Sequence, residues 1–303
     1  MTRKQLVAEV LYRLGVIHAV ATLRRWLGLG GPLFLMGHRV LPAQAAQASA
    51  VEHMALLSGH AITPDELARR LDFVRHWVMG SADPVRLSGP MPLPRKFFLT
   101  FDDGYRDNLD HARAVLDARG IRAVIFFIGA LVRKPDASPW WDRFGADALA
   151  AGGDARRALA SYGERCGIAK RACMGLVAAD LESADQQRYL SADEVHRLPD
   201  TFYVANHTEW HANLERLSDC DLAAHIESGD TTIRQSPRYL PVMAYPFGYH
   251  NDAVLNWVRR DGRYRMVFAT GNGVDGDPHR QRRINLNVRS FGLFAAQCAG
   301  LMH

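Results

Sequence analysis

The stretch Phe97-Phe98-Leu99-Thr100-Phe101-Asp102-Asp103-Gly104-Tyr105 limits what this chain can fold into more than any other. An apolar and β-branched run ending in two adjacent carboxylates and a glycine predicts a buried strand whose C-terminal end opens into a cleft. Burying one ionised carboxylate is costly and burying two is worse, so the pair calls for a nearby cation, most simply a metal ion. Consecutive strand side chains point to opposite faces. Asp102 and Asp103 are therefore expected to divide the work, one binding metal and the other handling a proton.

Size permits such a fold. The 303 residues, 48% of them hydrophobic, suffice for one α/β barrel or two modest domains. Lys and Arg number 37 against 32 Asp and Glu, giving +5 and a pI near 9.2. That balance suits an anionic partner without demanding one. The chain has no basic tail, zinc-knuckle spacing or aromatic-interleaved basic motif, so nucleic acid is not an expected partner. Cys166, Cys173, Cys220 and Cys298 form no CxxC pair and read as reduced thiols in a reducing compartment.

The segment from Leu6 to Leu29 is apolar but broken by Glu9, Arg13, His18, Arg24 and Arg25, so it holds no uninterrupted bilayer span. Arg24-Arg25-Trp26 stands where a secretory signal needs small residues, and a cytoplasmic location follows as the expectation. Residues 1–31 are predicted to form one amphipathic helix. It either docks on the body or lies on an anionic membrane surface with Arg3, Lys4, Arg13, Arg24 and Arg25 toward the headgroups.

From residue 32 the chain reads as a single α/β unit. Pro32 to Gly37 predicts a short buried strand that delivers His38 and Arg39. Thr63-Pro64-Asp65-Glu66 opens a helix with a cap, a first-turn proline and acidic residues at its start. Residues 81–94 are a proline-rich connector. Asn108 to Arg119 is helical by pattern and Arg122 to Ile128 is a strand, making a parallel βαβ unit with functional groups at the C-terminal strand ends. An Ala-rich helical insertion is predicted at about 137–190, beginning near Trp140 and Trp141, followed by a Ser191/Glu194 capping box.

A second strand, Phe202 to Asn206, runs into His207-Thr208-Glu209-Trp210-His211. Histidines four apart lie on one face of a helical turn, and with a carboxylate from another strand they make a 2-His-1-carboxylate set with open positions. Thr100-Phe101-Asp102-Asp103-Gly104, followed about a hundred residues later by H-T-x-x-H-x-x-L from His207 to Leu214, resembles the polysaccharide deacetylase, or NodB-homology, family. The resemblance covers roughly residues 32 to 290.

It implies an α/β fold, a distorted (β/α) barrel of seven strands, and metal-dependent hydrolysis of N-acetyl or O-acetyl groups on a sugar. By the same resemblance Asp102 is the catalytic base, and Asp103, His207 and His211 hold a divalent metal, zinc being the default. The segment Ala244-Tyr245-Pro246-Phe247-Gly248 sits where the family has R-x-P-[FY]. Ala244 replaces the arginine that orients the base, which is thus absent or supplied from elsewhere, while the Phe247 backbone N–H remains an oxyanion donor. Leu301-Met302-His303 imitates the family's late general-acid motif. A circularly permuted exopolysaccharide deacetylase subset instead begins with a strand ending in Tyr-His, which Leu35-Met36-Gly37-His38 resembles. His38 is the first choice of acid, with His250 and His279 behind it.

For substrate contacts, Tyr105, Trp210 and Tyr249 are expected at the mouth to stack on sugar rings, and Trp140 and Trp141 either join them or pack in the insertion. Arg259, Arg260, Arg263 and Arg265, and then Arg280, Arg282, Arg283 and Arg289, either meet a diphosphate or uronic acid or form solvated faces. The expected substrate is an acetylated sugar, glycan, or nucleotide- or lipid-linked precursor of a surface polysaccharide such as O-antigen or capsule. Two rival readings are a metal hydrolase of a non-sugar amide and a carbohydrate-binding protein that has lost catalysis.

Overall fold

In the computed structural model, residues 2–151, 154–172, 175–183 and 187–302 are described. Seven parallel strands form one curled half-barrel sheet in the order β8-β7-β6-β5-β4-β1-β9. They are β1 (Leu33–Gly37), β4 (Phe97–Phe101), β5 (Ala123–Phe127), β6 (Phe202–Asn206), β7 (Tyr239–Ala244), β8 (Met266–Phe268) and β9 (Ile284–Asn285). Two short strands, β2 (Arg39–Val40) and β3 (Ala61–Ile62), pair beside it. Every residue of β4, β5 and β6 is buried, which is why these strands read as continuous rather than alternating apolar runs.

Alternation is nevertheless present and sorts the two faces of the sheet. Phe97, Leu99 and Phe101 pack outward under the covering helices with Ile125, Phe127 and Val204. Phe34, Phe98, Phe126, Tyr203, Ala244 and Phe268 pack together on the other face, inside the half-barrel. Period two then carries Thr100 and Asp102 from Phe98, His207 from Tyr203 and Ala205, and His38 from Phe34 and Met36, all onto the interior face.

The sheet's two edges nearly meet. The Gln281 amide donates to the Val267 carbonyl beside β8, while Ile284 three residues later pairs with Leu35 of β1. One short segment thus bridges the seam, and Arg283 lies within it.

The N-terminal segment differs from expectation. It forms two helices, α1 (Arg3–Arg13) and α2 (Val16–Trp26), bent by 74°. Gly15 sits at the break with φ 76°, a left-handed conformation that ends one helix and starts the next. The 137–190 region contains the helices Trp140–Ala150 and Ala155–Ala172, which roof the strand ends. Ser191 and Glu194 make the expected reciprocal cap.

Candidate active site

Asp102 stands one residue past the end of β4 and continues its interior-facing row, and its partner is Arg283. The guanidinium donates to Asp102 Oδ1 at 2.6 Å and Oδ2 at 2.8 Å, a two-pronged pair with both side chains buried. It also donates to Thr100 Oγ1 and the Ala269 carbonyl, and it lies over Phe126 and Phe268. Burial alone would favour the neutral acid. Arg283 outweighs it and holds the Asp102 carboxyl below its ordinary range. The arginine missing at 244 is therefore supplied from the seam. The Arg280–Arg289 run is no uniform solvated face, because Arg283 is buried while Arg280 pairs with Asp277.

Asp103 would face outward on a continuing strand. Instead its φ of 73° turns the chain and brings its carboxylate back toward the interior. Gly104, at φ 79°, completes the turn beside Phe127, and a Cβ there would approach that ring to 2.6 Å. Asp103 Oδ1 lies 3.4 Å from His207 Nε2 and 3.5 Å from His211 Nε2. One donor atom from each of the three residues falls within 4.8 Å of the others.

The two histidines do not reach this point on a helical turn as the four-residue spacing predicts. Residues 207–213 are loop, with Thr208 at φ 66° and His211 at φ 52°. Asn206 sets the turn, its Oδ1 accepting from the Thr208 amide and its Nδ2 donating to the Ile226 carbonyl and Tyr264 hydroxyl. Glu209 turns away to pair with Arg133. All four non-glycine residues with positive φ among those described, Asp103, Thr208, His211 and Phe247, belong to this site.

This donor set fits a divalent cation. His207 Nδ1 lies 2.8 Å from the Ala244 carbonyl, so Nδ1–H donates and leaves the Nε2 lone pair facing Asp103. Asp103 Oδ1 and His211 Nδ1 are buried without hydrogen-bond partners. Burial opposes ionisation of Asp103, but the neighbouring imidazoles outweigh it and hold the carboxyl well below its usual range. Burial pushes His211 down to about 3, which keeps it neutral. His207 is also opposed by burial, yet Asp103 raises its proton affinity above the usual value. A two-imidazole, one-carboxylate set suits zinc and other borderline divalent ions.

These groups open into a cleft of about 610 Å³. Its sheet side carries Met36, His38, His60, Thr270 and Asn285, and its roof carries Trp140, Trp141, Tyr162, Cys166 and Lys170. His38 is in the wall, its pKa lowered by burial despite Asp103 and Asp102. His60, which sequence reasoning passed over, stands with its ring 4.4 Å from that of His38 and its Nε2 3.9 Å from Asp103 Oδ2. No local pattern marks it, because β3 brings it there only by pairing beside β2. Phe247 also lines the cleft, its ring 4.4 Å from His211.

Three residues expected to contact substrate stand away from the cleft lining. Tyr105 is fully buried, stacked beneath Arg39, with its hydroxyl accepting from Trp141 Nε1. Trp210 packs against the insertion, its carbonyl accepting from the Leu176 amide. Tyr249 stands behind Phe247, with ring centres 5.8 Å apart. None of the three lines the cleft, because each follows a turn that carries it past the strand end; Trp140 and Trp141 line it instead. His250 and His279 are likewise outside the wall, and His303 and Cys173 lie outside the described residues. Cys166, Cys220 and Cys298 are unpaired.

Curled parallel sheet, interior carboxylates and an Asp-His-His cluster together define a hydrolase built on a distorted (β/α) barrel. A family-level comparison matches residues 92–266 to the polysaccharide deacetylases, and the chain belongs to that family, hydrolases acting on carbon–nitrogen bonds. Among solved structures it is similar to a polysaccharide deacetylase of Bacillus anthracis, described as putative (15% identity, 88% of this chain and 68% of that one, TM-score 0.57). It is also similar to IcaB from Ammonifex degensii (19%, 89% and 96%, 0.55) and to the deacetylase PplD of Streptococcus pyogenes (17%, 84% and 92%, 0.54). A search of curated proteins found no match.

Proposed function

We propose that this protein is a metal-dependent deacetylase removing an N-acetyl, or O-acetyl, group from a sugar in a glycan or in a nucleotide- or lipid-linked precursor of a surface polysaccharide. The observation that carries this reading is a carboxylate held ionised by a buried two-pronged arginine, beside an Asp-His-His donor set in one cleft. The unpaired cysteines favour a reducing, cytoplasmic setting, before the glycan is exported.

Asp103, His207 and His211 would hold the cation, zinc by default, which supplies Lewis acidity for activating water and polarising the acetyl carbonyl. Asp102 takes the proton of the attacking water on a lone pair that its Arg283 bonds leave free. The Phe247 amide, in the tight turn Pro246–Gly248 where Phe247 takes φ 58° beside the cleft, donates to the developing oxyanion. His38, lining the same cleft, delivers a proton to the departing sugar nitrogen.

Acetate release from N-acetylhexosamine oligomers and nucleotide-linked N-acetyl sugars by zinc-loaded protein tests this directly. Asp102→Asn and His38→Asn are each expected to lower kcat by about 10²–10⁴-fold while metal content stays unchanged. An active Asp102→Asn enzyme would remove Asp102 as the base. Failure on every acetylated sugar, with a non-sugar amide hydrolysed, would favour the rival hydrolase reading.

A further inference from the structure

We propose that the paired N-terminal helices form a lipid-docking face that lays the protein on an anionic bilayer surface. Each helix is bound to the body on one side only. Ala8, Ile17 and Ala21 are buried, Tyr12 meets the Phe291 ring edge-on at 5.0 Å, and the Gly292 backbone approaches Ala8 so closely that a Cβ would clash. The opposite faces are apolar and open. Along α1 and its C-cap, Leu6, Val10 and Leu14 recur every fourth residue; on α2, Val16, Leu23 and Trp26 follow helical spacing. Trp26 is 80% and Leu14 72% exposed.

Nine of the sixteen exposed large hydrophobic side chains among the described residues fall within Leu6–Leu29. Such clustering marks an interaction surface rather than scattered exposure. Its charge selects the occupant. Through Leu29 the chain carries five Lys and Arg against the single carboxylate of Glu9, and Glu9 is turned inward, accepting from Ser290 Oγ and the Gly292 amide. Apolar stripes rimmed by Arg3, Lys4 and Arg13, with a tryptophan at one end, match the boundary between acyl chains and anionic headgroups.

A groove beside α1 points the same way. About 930 Å³ in volume, it places Leu6 and Val10 next to Arg13 and Arg289, with Glu9 between them tied to Ser290 and Gly292, so that an apolar wall and two cations face an acyl chain and its phosphate. The docking is in-plane. No single helix among the described residues is long and apolar enough to cross a bilayer; α1 and α2 reach that length and apolarity only as a pair, which the 74° bend breaks, and the buried faces tie both helices to the body.

Vesicle flotation of the full chain tests the proposal. With about 30% anionic phospholipid in a zwitterionic bilayer the protein is expected to float, and with zwitterionic lipid alone or in about 1 M salt at least ~10-fold less should be recovered. The double variant Leu14→Glu/Trp26→Glu, which alters only exposed side chains, is expected to lose binding by ~10-fold or more with an unchanged Tm. Equal flotation of wild type and variant would overturn the proposal. So would wild-type protein that ignores vesicles and dimerises in lipid-free buffer through the same two residues, since a second copy would then cover the face.

Discussion

Arg283 and Asp102 show how much one side chain far away in sequence can decide. A buried carboxylate that loses its two-pronged guanidinium partner is left poorly compensated, whereas removing both charges together approaches neutrality. Arg283→Met is therefore expected to destabilise the fold by about 3–5 kcal/mol in denaturant unfolding and to lower kcat by ~10²-fold or more. Adding Asp102→Asn to that variant should return most of the stability and none of the activity. This separates an arginine that serves the proposed base from a merely structural one. Nothing near Arg283 in sequence announces its role: it stands among Arg280, Arg282 and Arg289, and only the closing seam buries it. By contrast, the Asp102-Asp103 pair was readable because two carboxylates directly after a buried run have no inexpensive alternative explanation.

The elements contribute by where they end and what they cover. Helix Trp140–Ala150 sends Trp140 and Trp141 into the cleft wall and buries Asp142 beneath. Asp142 Oδ2 has no hydrogen-bond partner. Burial raises this carboxyl to about 6 against the pull of Arg39 and Arg188. Between pH 3.8 and 6 the folded chain holds that proton more tightly than the unfolded chain, so Asp142 costs stability progressively as pH rises through this window. A shift of that size corresponds to about 3 kcal/mol at neutral pH. Asp142→Asn is expected to unfold at a higher temperature than wild type above pH 6, with the difference vanishing near pH 4, as thermal melts across that range would show. Caps at Thr63 and Ser191 and the strands at 97–101, 123–127 and 202–206 follow from local sequence. The helical reading of His207–His211 failed because Asn206 captures the Thr208 amide and redirects the chain into a loop.

At the scale of the whole molecule, Asp103 after β4 and His207 and His211 in the loop after β6 come together across β5, so a bound cation would tie the centre of the sheet together. A ligand that binds only the folded state stabilises it by mass action. Zinc at about 100 times its Kd is expected to add about 2.7 kcal/mol, seen as a raised Tm that EDTA reverses and Asp103→Asn abolishes. Metal-free, the two imidazoles pull in opposite directions: the raised pKa of His207 gives stability present at acid pH and lost as pH rises through the folded value, whereas the lowered pKa of His211 takes stability away as pH falls. Metal binding needs the neutral ring, so the gap between zinc-loaded and metal-free melting temperatures should widen from pH 5.5 to 7.5.

Sequence alone determined the strand that presents the carboxylates, the histidine pair, the family those motifs resemble and the parallel α/β architecture. These rest on period, burial cost and capping, which act over a few residues. Tertiary structure decided the rest: Arg283 as partner of Asp102, His60 beside His38, Trp140 and Trp141 rather than Tyr105, Trp210 and Tyr249 along the cleft, and the bend that opens an apolar face at the N-terminus. Those outcomes depend on where sheet edges meet and which way turns leave a strand. Both are fixed by contacts between segments distant along the chain, and no local pattern encodes them.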